Sequence, residues 1–153
     1  MTMRHCDVWA LLVSPGGYVS MAVEGKAGEP FASTLEDWLK EASDGKRERL
    51  DFLCRTLQIP PNPAPDLRYQ LFHRTASAIL EAQRVRAPLA VMMIQSFRED
   101  QQSWLDYAAF ASLLGAAAVR GGVAKARRSG DEQLFLGWVD CALASDSEIA
   151  SAV

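Results

Sequence analysis

Three ionisable side chains near the start of the chain, Asp7, Glu24 and Lys26, have the types and spacing to act together. Glu24 and Lys26 close the run Tyr18-Val19-Ser20-Met21-Ala22-Val23-Glu24-Gly25-Lys26, which reads as a strand that presents a metal-binding acid at its end. Strand side chains alternate, so Val19, Met21 and Val23 share one face while Ser20, Ala22, Glu24 and Lys26 share the other. Asp7 opens the apolar run Asp7-Val8-Trp9-Ala10-Leu11-Leu12-Val13, and Ser14-Pro15-Gly16-Gly17 between the two runs predicts a tight turn and an antiparallel hairpin. Residues equidistant from a hairpin turn face one another, and Asp7 lies about as far before it as Glu24 or Lys26 lies after. The three groups are therefore expected to converge. The plainer alternative is an ordinary surface ion pair of Glu24 with Lys26, with Asp7 merely preceding a strand.

The elements that must position these groups come from one domain. At 153 residues and 49% hydrophobic, the chain can build one real core and is too short for two. The expectation is a single α/β or α+β unit over residues 1–143, with 144–153 as a flexible tail. No apolar run approaches the ~20 residues of a membrane span, so no membrane partner is expected. Met1 to Asp7 lacks a small-residue cleavage site, which points to a cytoplasmic location. Cys6, Cys54 and Cys141 are odd in number and widely spaced, so they read as buried free thiols and not as a zinc site. A net charge of -3 lacks the basic excess of a free-standing, tight nucleic-acid binder. It leaves room for a local basic patch, or for a homodimer or larger complex whose partner supplies DNA contacts.

Along the chain, Ser33-Thr34-Leu35-Glu36 fits a capping box and opens a short helix over about 34–42 with Leu35, Trp38 and Leu39 as its stripe. Asp44-Gly45 reads as a break before a second helix over 46–58, where Leu50, Leu53, Cys54 and Leu57 recur at helical spacing. The Pro60–Pro65 stretch can be neither helix nor central strand. Asp66 then caps the longest helix, about 67–84. Leu71, Phe72, Thr75, Ala76, Ala78, Ile79 and Ala82 fill its apolar arc, and Gln70, His73, Arg74, Ser77 and Glu81 the opposite one. Leu89–Phe97 reads as a strand buried on both faces, followed by a helix over 104–117. Lys125, Arg127 and Arg128 form a small basic segment between glycine-marked turns, and the last strand covers 133–139. The four tryptophans read as core.

Asp7, Glu24-Gly25-Lys26 and the strand, strand, helices, strand order resemble the PD-(D/E)XK nuclease superfamily, with Cys6 standing where that motif has its Pro. The resemblance implies an α/β (α+β), restriction-endonuclease-like core, with a mixed central sheet of about four strands flanked by helices. That core usually opens with a helix and an edge strand; only six residues precede Asp7, so a lost or mis-set start is expected. Asp7 and Glu24, with the Gly25 carbonyl, would coordinate Mg²⁺ or Mn²⁺, whose preference is for hard oxygens. Asp7, Glu24 and Lys26 would be catalytic, Lys26 orienting or helping to deprotonate a metal-bound water that attacks a DNA phosphodiester.

Gln70 with Arg74 four residues on is similar to the Gln-x-x-x-Tyr motif of RecB-type members, Arg replacing Tyr. Arg68, Gln70, His73 and Arg74 would then contact substrate phosphates. Val23-Glu24-Gly25-Lys26, Glu29-Pro30-Phe31 and Arg68-Tyr69-Gln70-Leu71-Phe72-His73-Arg74-Thr75 also resemble an uncharacterised bacterial domain family associated with the same superfamily. The expected function is a Mg-dependent nuclease acting on DNA. The alternatives are a catalytically inactive domain of the same fold serving as a protein-interaction or assembly module, and a stress or defence accessory protein without a nucleic-acid role.

Overall fold

The Pro15-Gly16 turn sets the first register of the fold. In the computed structural model, which describes residues 6–98 and 101–142, β1 (Val8–Ser14) and β2 (Gly17–Lys26) pair antiparallel, with Ser14 opposite Gly17 and Val8 opposite Val23. Gly17 takes φ +114°, and a Cβ there would lie 3.0 Å from Pro88 Cγ, so both backbone and space demand glycine. His5 and the expected tail at 144–153 lie outside the described residues.

Helix α1 (Leu35–Leu39) starts one residue later than the capping box suggests: Thr34, not Ser33, accepts from the amide of Asp37. Helix α2 (Asp44–Leu57) absorbs Asp44-Gly45 into its first turn because the Ser43 side chain caps it; the expected break is the preceding residue's N-cap. Helix α3 (Tyr69–Val85) is entered from Arg68, which gives no side-chain cap, so Asp66 does not cap it. Its start is held instead by backbone bonds, Tyr69 N–H to Ser33 O at 3.1 Å and Leu35 N–H to Leu67 O at 2.8 Å, which tie the proline connector to the start of α1. The expected apolar arc, Leu71 through Ala82, is buried throughout.

Strand β3 (Leu89–Ser96) follows α3 and lies parallel to β2, with Glu24 opposite Ile94. Helix α4 (Gln101–Leu113) leads to β4 (Gly122–Lys125) and β5 (Gln133–Asp140). The sheet has five strands in the order β1-β2-β3-β5-β4, with β3 and β5 parallel and both edge strands antiparallel to their neighbours. The expectation of about four strands missed β4, because a four-residue edge strand needs no apolar alternation to pair. The architecture is α+β.

The core lies on one side of this sheet. Ala22, Ala90, Met92, Ile94, Leu134, Leu136 and Trp138 join the buried faces of the helices in one cluster. Trp138 is fully buried, with ring contacts to Phe31, Trp104 and Tyr107, whereas Trp9, Trp38 and Trp104 are half-buried. Tyr107 has its hydroxyl pushed well above the ordinary range by burial. Strand β3 is buried on its second face only in part, against the expectation: on the side away from the helices Val91 is buried, whereas Leu89, Met93 and Gln95 are half-buried. Of the thiols only Cys54 is buried; all three cysteines are free.

Trp138→Ala should cost about 3–5 kcal/mol and lower Tm by roughly 10 °C in a calorimetric scan. Val139→Ala, one residue on and on the opposite face, should change stability by less than about 1 kcal/mol.

Candidate functional site

Two strand residues span about 6.7 Å and one helical turn of four residues about 6 Å, so alternate residues of β2 can match successive turns of a helix laid over it. β2 turns Ser20, Ala22, Glu24 and Lys26 to the helix side, where all four are buried. α3 answers with Gln70 and Arg74, which are one turn apart and share a face. The Gln70 amide donates to Glu24 Oε1 at 2.5 Å, and its carbonyl accepts from Lys26 Nζ at 2.8 Å. Arg74 Nε donates to Glu24 Oε2 at 2.5 Å. Lys26 Nζ also lies 3.5 Å from Glu24 Oε1 and 5.1 Å from the centroid of the Phe31 ring. A carboxylate bonds one end of Gln70 and an ammonium the other, so the amide can face only one way.

Glu24 is 4% exposed and Lys26 6% exposed. An isolated charge at that depth would carry a heavy desolvation cost, and pairing removes most of it. With one carboxylate against an ammonium and a guanidinium, the cluster carries one excess positive charge. It sits at the carboxyl end of β2, an edge at which the parallel strands β2, β3 and β5 all finish.

Asp7 falls next to this cluster in the hairpin register, since Val8 pairs with Val23. Its Oδ2 accepts from the Gly25 amide at 2.8 Å, and a Cβ on Gly25 would lie 3.3 Å from that oxygen. The carboxylate is thus turned toward Gly25, while the bonds of Glu24 run to α3. Of the four expected phosphate-contacting residues, Gln70 and Arg74 join the cluster. Arg68 does not: its Nε donates to Asp106 at 2.8 Å and its Nη1 to Ala32 O at 3.0 Å, which ties the start of α3 to α4. His73 packs 6.1 Å from the Tyr69 ring, itself stacked on Trp38 at 4.1 Å, and places Nδ1 3.4 Å from Arg74 Nη1. Among the described residues no three His, Cys, Asp or Glu side chains gather as a metal cage.

Cys6 and Glu29, both part of the sequence resemblance, lie near the cluster, and Arg98 and Arg120 join them without any sequence signal. Burial pushes the Cys6 thiol above its usual range, with Arg74 pulling it down and Glu24 and Asp7 adding to the rise, so Cys6 lies within the field of the cluster. Glu29, whose carboxyl is held below its usual range by its own backbone amide and that of Ala27, closes the loop after Lys26. Arg98 and Arg120 line a cleft of about 260 Å³ with Ser96, Asp140 and Cys141 at the ends of β3 and β5. Arg120 stacks 5.1 Å over the Trp104 ring. Only the strand order, which brings these carboxyl ends to one edge, could have found them.

A family model described as "Domain of unknown function (DUF6946)" matches residues 1–142. No curated protein and no solved structure matches the chain.

Arg74→Leu leaves the buried Glu24 short of its closest cation and should lower the unfolding free energy by about 3 kcal/mol. Adding Glu24→Gln should restore part of that loss, giving a clear coupling energy in a urea double-mutant cycle.

Proposed function

We propose a function for this chain, which belongs to the DUF6946 family: a nuclease-like domain with a restriction-endonuclease-like core that hydrolyses DNA phosphodiester bonds with Mg²⁺ or Mn²⁺ as cofactor. The observation that carries this reading is the union of Glu24 and Lys26 through Gln70 at the carboxyl end of β2, with Asp7 beside Glu24 on the paired strand. The passage from an antiparallel hairpin through α3 to a parallel β3 supports it.

The donor set suits a hard cation in kind: the carboxylates of Asp7 and Glu24 and the carbonyl of Gly25 are oxygens, and Mg²⁺ keeps several waters of its own. Glu24 Oε2 carries Arg74, so holding a cation requires Arg74 to yield that oxygen. When bound, the ion supplies charge stabilisation at the phosphate and acidifies a water. Lys26, held by Gln70, would orient or help to deprotonate the attacking water. Arg74, once displaced, presents its planar fork to a phosphate oxygen. Arg98 lies along the same edge, where Arg120 is paired with Asp140 at 3.9 Å.

A second reading is a catalytically inactive domain of this fold that serves as a protein-interaction or assembly module. One observation favours it: both oxygens of Glu24 are already bonded to side chains of α3, a pattern that is complete without a cation.

Calorimetric titration of Mg²⁺ and Mn²⁺ with plasmid cleavage on the same samples separates the two. On the first reading wild type binds and cleaves, Glu24→Gln loses both, and Lys26→Met cleaves about 100-fold more slowly while still binding the ion. A folded wild type that neither binds nor cleaves removes the hydrolase and leaves the module. On DNA, Arg98→Ala should weaken binding evenly across sequences and reduce the salt slope by about 1.

A further inference from the structure

Arg74 occupies the place on Glu24 that a cation would need. Its Nε donates to Oε2 at 2.5 Å while Gln70 donates to Oε1 at 2.5 Å, so both carboxylate oxygens are engaged from α3. We infer that Arg74 is an inhibitory latch: it stands in for the divalent ion on Glu24 and yields when DNA phosphates draw its guanidinium away, so that ion and DNA bind together. The inference rests on the nuclease reading and names how that same site is regulated.

Charge balance is the first argument. Asp7 and Glu24 offset Lys26 and Arg74 one for one. Glu29 on the following loop, bonded to the Ala27 amide, has Arg98 to offset it in turn. The site is thus close to neutral as it stands. A divalent ion added to it leaves two positive charges uncompensated where Glu24 and Lys26 are almost fully buried and little water screens them. Two changes remove that excess, departure of the guanidinium from Glu24 and arrival of phosphate charge. DNA brings both at once, since an arginine fork pairs with phosphate as well as with carboxylate.

Arg74 is also the member of the cluster best placed to leave. Its side chain is 14% exposed, against 5% for Glu24 and 7% for Lys26. Gln70 is wedged between Glu24 and Lys26, and Lys26 lies against the Phe31 ring, so moving either breaks a second contact. Arg74 Nη1 reaches His73 Nδ1 at 3.4 Å, a long contact that holds it weakly. With no ion bound, the guanidinium supplies the counter-charge that the buried carboxylate needs. Linkage is reciprocal, so the factor by which DNA tightens the ion is the factor by which the ion tightens DNA.

Calorimetric titration of Mn²⁺ without DNA tests the latch. Arg74→Met should bind the ion about 10-fold more tightly than wild type, and Mn²⁺ should raise its Tm by more. Arg74→Lys, which keeps the charge, should stay near the wild-type affinity. If Arg74→Met does not fold, Arg74→Gln, which keeps a donor for Glu24, carries the same expectation. A short DNA duplex should tighten the binding of Ca²⁺, which shares the preference for oxygen ligands, about 10-fold in wild type and by less in the uncharged variant. Mn²⁺ affinity in a folded uncharged variant that is no higher than in wild type overturns the latch. So does a gain in Arg74→Lys as large as in Arg74→Met, or a duplex effect of the same size with and without Arg74. Plasmid cleavage by wild type decides the hydrolase separately. Cleavage with equal ion affinities sinks the latch alone, and tighter binding by Arg74→Met without any wild-type cleavage sinks the hydrolase alone.

Discussion

The burial of Glu24 is the constraint on which the arrangement of this domain turns. A carboxylate buried on the helix side of an inner strand carries a heavy desolvation cost unless it is paired. The pairing is achieved by one helix whose turn repeat matches the strand's two-residue repeat. Gln70 and Arg74 reach Glu24 only if α3 lies along β2 with its first turns over the strand's carboxyl end, so the ion cluster fixes the axial position of α3. Lys26 is then held from two sides, by Gln70 and by the face of Phe31. Polar satisfaction and helix docking are here one requirement.

Everything that supports α3 at that height supports the cluster. The proline connector is bound to the start of α1 through Leu67 and Pro65 carbonyls, and Arg68 links the same end to Asp106 on α4. Trp38 stacked on Tyr69 holds α1 against α3 one turn before Arg74. Arg68 therefore works by holding backbone in place, although its position beside Gln70 in the chain suggests a ligand contact. At the far end, α3 stops with Arg86 in a left-handed conformation at φ 55°, and the short link to Leu89 returns the chain to the start of β2. The crossover is closed at both ends, which leaves the helix little freedom to slide.

The sheet is used asymmetrically. One face carries the core and the polar cluster; the other carries valine, methionine, leucine and phenylalanine with no helix laid on it among the described residues. The strands are apolar on both sides, but among the described residues the helices pack on one side only. This explains why β3 looked, by composition, like a strand buried twice over: its odd residues are as apolar as its even ones, and composition does not say whether a cover is present.

Periodicity and punctuation by themselves determined the hairpin, the four helices, the apolar arcs of α2 and α3, the non-helical proline stretch, and the shared face of Glu24 and Lys26, because each depends on neighbours within a turn or a strand step. The starts of α1 and α2 shifted by one and two residues because Thr34 and Ser43 cap them. By contrast, α3 begins two residues later than expected without a side-chain cap, and α4 covers 101–113, three to four residues before the expected 104–117. β4 was illegible, since an edge strand of four residues is made by its partner. Tertiary structure alone decided that Gln70 and Arg74, and not Arg68, close on Glu24. It alone turned Asp7 toward Gly25, gathered Arg98 and Arg120 at one edge, and left one face of the sheet bare. These depend on the height of α3 over β2 and on the order of the strands, distances through space that no local spacing in the chain encodes.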